Sequence, residues 1–164
     1  MTASTALEVL GTGRAEGTRL RGLHREIISG VGATRTLLAK ESGALCLFDR
    51  AAGVVYTLPT PVEGMQFEFS TSVLVTSNSY KVVTATPASQ FIVGSVMGGS
   101  LTVADSGDVF QADGTTHVAI TMGGSTTGGL VGGSFKLTAI STTQWLIEGD
   151  FVASGTVATP FATS

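Results

Sequence analysis

Residues 122–140 read MGGSTTGGLVGGSFKLTAI, with six glycines and then a lysine. The residues after the glycines decide the fold. A loop that cradles a phosphate needs a strand before it, the spacing GxxxxGK[ST], and a helix after it whose amide N–H groups face the anion. Here Lys136 comes after Phe135 rather than glycine, and Phe135, Leu137 and Ala139 alternate with Lys136 and Thr138. That is a period of two, the signature of a strand with one buried face. The glycines are therefore turn or bulge residues joining two strands.

The same period recurs along the chain. In MQFEF, Met65, Phe67 and Phe69 point one way and Gln66 and Glu68 the other. ALCLF, VVYTL, SVLVT, SYKVVTAT, SQFIV, SLTVA, HVAITM and QWLIEG are likewise short and rich in Val, Ile, Thr and aromatic residues, with Gly, Pro, Ser, Asn or Asp between most of them. No helical period of ten or more residues interrupts the series. The expected fold is all-β: an antiparallel β-sandwich, jelly-roll-like, because strands buried on one face belong to antiparallel sheets and helices for parallel crossovers are missing.

Only 13% of the 164 residues are charged while 43% are hydrophobic, and the mean hydropathy is +0.38. A chain of this balance folds, and its length suits one domain with a real core. No apolar run reaches a membrane span, and the opening MTASTALEVLGTGRAEG lacks the features of a secretory signal. A charge-poor protein hides apolar surface somewhere, and a subunit interface is the natural place. The charges are also divided. Residues 1–35 carry Arg14, Arg19, Arg21, Arg25 and Arg35 against three glutamates, net +2, and residues 36–164 carry four cations against nine acids, net −5. This divides the chain into an extended basic N-terminal arm, residues 1–36, with Leu20, Leu23 and Ile27 on one face of a helical turn or two, and a β-sandwich domain with a short C-terminal tail, residues 37–164.

Chemistry-bearing patterns are few. Gly11, Gly13 and Gly17 stand after a short apolar run, but the strand–helix alternation of a dinucleotide fold is absent beyond them. Cys46, within ALCLF, reads as a buried structural thiol. His24 and His117 are the only histidines, and neither stands in an evident nucleophile–base or metal-ligand pattern. Asp105, Asp108 and Asp113 could gather around a cation, although their spacing is not that of a calcium loop and Asp-Gly pairs are ordinary turn chemistry. Trp145, Phe151 and Phe161 either fasten the last strand to the core or anchor a subunit interface. No catalytic residue, cofactor or metal site is expected, and the chain is read as a non-enzyme.

The stretch GALCLFDRAAGVVYTLPTPVEGMQFEFSTSVLVTSNSYKVVTAT, residues 43–86, and the closing TQWLIEGDFVASGTVATPFAT, residues 143–163, resemble the head decoration, or cement, proteins of tailed bacteriophages. The resemblance extends over roughly residues 35–164. It implies a structural virion protein on the outer capsid surface, a homotrimer whose partners are its own copies and the major capsid protein, with no nucleic-acid or membrane partner. The basic arm is then the capsid-binding element, and Trp145, Phe151 and Phe161 are the subunit-interface candidates. The alternative is a tail fibre, spike or other receptor- or carbohydrate-binding β-sandwich module.

Overall fold

The computed structural model describes residues 24–104 and 106–164. Within them the chain is nearly all β, with one short 3-10 turn at Ala39–Glu41. Twelve strands run in order: β1 (Ile27–Ile28), β2 (Thr34–Thr36), β3 (Leu45–Phe48), β4 (Val54–Thr57), β5 (Gln66–Thr71), β6 (Tyr80–Val83), β7 (Phe91–Ser100), β8 (Gly107–Asp113), β9 (Ala119–Met122), β10 (Ser134–Ala139), β11 (Gln144–Ala153) and β12 (Phe161–Ala162). They form a seven-stranded sheet, β1-β3-β5-β10-β11-β7-β8, and a five-stranded sheet, β12-β9-β6-β4-β2.

The expectation of antiparallel sheets is corrected: both sheets are mixed. β1–β3, β3–β5 and β7–β11 pair parallel in the larger sheet, and β2–β4 and β4–β6 in the smaller. From β1 to β7 the chain alternates between the two sheets, so consecutive visits to one sheet run in the same direction. A parallel pair needs a crossover of a dozen or more residues, which is usually a helix. Here a strand of the opposite sheet serves as the crossover, and parallel neighbours arise without any helix.

The period-two readings of β5 and β10 hold. Met65, Phe67 and Phe69 are buried, as are Phe135, Leu137 and Ala139, while Glu68 and Lys136 lie on the outer face. The two sheets share one hydrophobic cluster. Phe48 of β3 stacks on Tyr80 of β6 with centroids 4.6 Å apart, and Phe69 of β5 meets Tyr56 of β4 edge-on at 5.6 Å. The phenolic groups inside this layer are satisfied by carbonyls: Tyr56 donates to Leu47 and Tyr80 to Val73, each at 2.9 Å.

Other segments differ from the sequence reading. SVLVT (residues 72–76) forms no strand, and SLTVA (residues 100–104) is mostly the bend between β7 and β8. β8 itself lies in DVFQAD, where acids and turn residues suggested a loop. The glycine-rich stretch joins β9 to β10, from one sheet to the other. A Cβ on Gly124 would stand 2.1 Å from the Val75 carbonyl oxygen, so close backbone approach demands glycine there.

The arm also changes. Ile27 is in extended β1 rather than on a helical turn, while Leu20 and Leu23 lie outside the described residues. β1 and β2 are edge strands of the two sheets, so residues 27–36 of the expected arm belong to the body. Their backbone groups find ladder partners there: Ile27 and Ile28 pair with Leu45 and Cys46, and Thr34–Thr36 with Val55–Thr57.

Candidate functional site

Of the five arm arginines, Arg14, Arg19 and Arg21 lie outside the described residues. Arg25 folds onto the seven-stranded sheet: its Nε donates to Gly43 O at 2.7 Å, Nη2 to Ala44 O at 3.1 Å, and Nη1 to Glu68 Oε2 at 2.5 Å. Arg35 donates from Nη2 to Glu41 Oε1, and Glu41, itself buried, accepts the Leu38 N–H through Oε2 at 2.7 Å. Arg35 Nε is buried without a partner. Two of the five arginines are therefore engaged by the protein's own carboxylates.

Trp145, Phe151 and Phe161 are buried within the single chain, Trp145 fully. Trp145 packs against Phe67 at 6.1 Å, and Phe151 against Phe110 at 5.8 Å. Of the two readings, fastening to the core is where the structure places them, because side chains covered by their own sheets have no face left for a neighbour.

The aspartates do not gather. Asp105 lies outside the described residues, and Asp108 Oδ1 accepts the N–H of Val109 at 2.7 Å. Asp113 organises the turn after β8: Oδ1 accepts the N–H groups of Thr115 at 2.9 Å and Thr116 at 2.8 Å, and Oδ2 the Thr116 hydroxyl at 2.5 Å. Hydrogen bonds from the Thr116 hydroxyl first, then from these amides, hold its carboxyl well below the usual carboxylate range. This is turn chemistry. Among the described residues no three acidic, His or Cys side chains stand together as metal ligands.

Cys46 is fully buried, and its thiol is pushed up to about 12, by burial first and then by the Glu41 carboxylate. His24 is exposed. His117 Nδ1 accepts the backbone N–H of Asp113 at 3.2 Å, and its ring lies 5.6 Å from Phe161. On the outer face, Lys136 stands in register between Glu68 and Glu148 and reaches Glu148 at 3.2 Å. With Arg25, just before β1, on Glu68, the row alternates in sign across β5, β10 and β11 and neutralises itself. A shallow depression beside it is lined by Glu68, Ser134, Phe135, Lys136, Glu148 and Gly149.

The surface that sequence reasoning missed is apolar. Met97 on β7 and Val109 on β8 face each other in register, and both are strongly exposed, as are Leu101 and Val103 in the connecting bend. Alternation in DVFQAD, where Phe110 and Ala112 turn inward, could have revealed β8 but for its two aspartates; the pairing of Val109 with Met97 left no local signal. Chemically, this surface can exclude water against another protein; it offers no nucleophile or base. Comparison of the chain with protein-family models, with curated proteins and with solved structures finds no match.

Proposed function

We propose that the protein is a structural virion component, a decoration or cement protein that binds the outer surface of a tailed-phage head as a homotrimer and stabilises it without catalysing a reaction. The observation that carries this reading is the in-register pair Met97 and Val109, with Leu101 and Val103 in the bend that joins their strands, all exposed on a charge-poor body whose core is already closed by its own two sheets. Exposed apolar side chains that pair across neighbouring strands, as Met97 and Val109 do, fit protein contact. The two facing mixed sheets read as a sandwich. The sheet-to-sheet alternation of β1–β7 and the parallel pairs set it apart from the antiparallel Greek keys of a jelly roll.

In this reading Arg14, Arg19 and Arg21 grip the shell, and several copies held in one oligomer bind as a unit, so modest contacts suffice. The test is sedimentation of the purified protein with assembled heads at low and high salt. Binding that weakens with salt, and weakens at low salt when Arg14, Arg19 and Arg21 are replaced together by Ala, supports it. Protein that stays in the supernatant at every salt concentration contradicts it and favours a fibre or spike module.

A further inference from the structure

Among the described strands each sheet has two edges, and three of the four are short. β1, β2 and β12 have two or three residues, too few to template another strand, whereas β8, at one edge of the seven-stranded sheet, has seven. The bonds Gly114 N–H to Ile92 O and Ser100 N–H to Ser106 O, each at 2.9 Å, fix the phase of the β7–β8 ladder. Asp108, Phe110 and Ala112 therefore turn their backbone groups toward β7, and Val109, Gln111 and Asp113 turn theirs away from it. Beside this edge Met97 is 60% and Val109 59% exposed. A long edge strand with exposed apolar side chains invites pairing with another chain unless something blunts it.

The outward row is blunted by side chains. Asp108 Oδ1 accepts the Val109 N–H at 2.7 Å, and His117 Nδ1 accepts the Asp113 N–H at 3.2 Å. The second contact is built by a turn. Asp113 Oδ1 accepts the N–H groups of Thr115, Thr116 and His117. Both ends of the turn are fastened to β7, where Ile92 O accepts from Gly114 and Ile92 N–H donates to His117 O at 2.7 Å. This brings the His117 ring back to the edge of β8, and Phe161 of β12 backs it with centroids 5.6 Å apart. An imidazole that accepts at Nδ1 is neutral and carries its proton on Nε2. The N–H of Gln111, between the two held amides, meets no acceptor among the described residues. An incoming strand needs these outward amides in succession, and the first and third are already taken.

We infer that Asp108 and His117 are edge guards: by holding the Val109 and Asp113 amides they keep β8 from pairing with β8 of a second copy. Every copy presents the same edge, and a two-fold axis at Gln111 sets β8 antiparallel on itself, with Val109 opposite Asp113. Asp108, Asp113 and His117, which the sequence offered as candidates for cation binding or catalysis, act together on this one edge. The inference goes beyond the proposed function and depends on neither the shell nor the oligomer.

Residue-resolved amide hydrogen exchange of the full chain tests it. In the wild type the Val109 and Asp113 amides should be protected at least about 10-fold more than the Gln111 amide, although all three lie on one edge. D108A should release Val109 alone, and H117F, which keeps a ring against Phe161, should release Asp113 alone. The double variant D108A/H117F, checked for folding by circular dichroism, should self-associate above the wild-type mass as concentration rises. Adding Q111P, which removes an outward N–H and no ladder bond, should return the wild-type mass. Equal protection of the three amides in the wild type would overturn the inference: all weak means that nothing guards the edge, and all strong means that another chain covers it. A folded double variant with the wild-type mass, or association that Q111P leaves in place, would overturn it as well.

Discussion

Phe48 of the seven-stranded sheet and Tyr80 of the five-stranded sheet stack with ring centroids 4.6 Å apart and planes 25° from parallel. Both are fully buried, and Phe48 also meets Tyr56, Phe69 and Phe135. This ring cluster joins the two sheets. Replacing Phe48 by Ala should cost about 3–5 kcal/mol, the transfer loss plus the cavity left between sheets that cannot collapse. Denaturant unfolding of the two proteins measures it; a loss under about 1 kcal/mol would show that the sheets are held elsewhere.

Trp145 is the chain's one tryptophan and is fully buried, with Nε1 unpartnered. Trp145→Phe removes no hydrogen bond, so it should cost less than Trp145→Ala, which should cost about 3–5 kcal/mol. Its fluorescence should be blue-shifted and unchanged on dilution through any subunit dissociation. A red shift on dilution would return Trp145 to an interface.

Two glycines separate backbone need from mere presence. At Gly149, with φ +142°, a Cβ would stand 2.4 Å from Ser134 O and 2.5 Å from Phe135 Cα. Gly32 has no atom within 4 Å of such a Cβ and no left-handed backbone. Gly149→Ala should destabilise by more than about 1 kcal/mol, whereas Gly32→Ala should be neutral or slightly stabilising through the unfolded chain. Thermal melts of both variants decide; equal effects would contradict the β10–β11 geometry.

The raised Cys46 thiol makes a kinetic prediction. With its ionisation pushed up to about 12, almost no thiolate forms at pH 8, and burial denies access. A disulfide reagent should label the native protein no faster than the protein unfolds, and the denatured protein at once. Rapid labelling of the folded protein would contradict the burial of β3.

The strands that were legible in the sequence are those with one buried face. In β5 and β10, Phe67, Phe69, Phe135 and Leu137 alternate with charges, and that period survives any choice of neighbours. Pairing direction was not legible, because it depends on which sheet each crossover enters, as when β4 carries the chain from β3 to β5. β8 was hidden because Gly107, Asp108 and Asp113 are turn residues in isolation, and only pairing with β7 makes them a strand. Arg25 and Arg35 looked like free cations since their carboxylate partners, Glu68 and Glu41, are brought to them by the fold. The exposed pair Met97 and Val109 is a cross-strand relationship, and no local pattern records it.

The central claim, that the protein stabilises an assembled virus shell, is tested most directly by heating matched tailed-phage heads with and without it and following their disassembly. A ligand bound only to the intact shell shifts disassembly by mass action, and many copies multiply the shift. The account predicts a higher disassembly temperature with the protein present, a shift that shrinks as salt is added where the contacts are exposed, and particles decorated on their outer surface when imaged. An unchanged disassembly temperature with bare particles at low salt would contradict it.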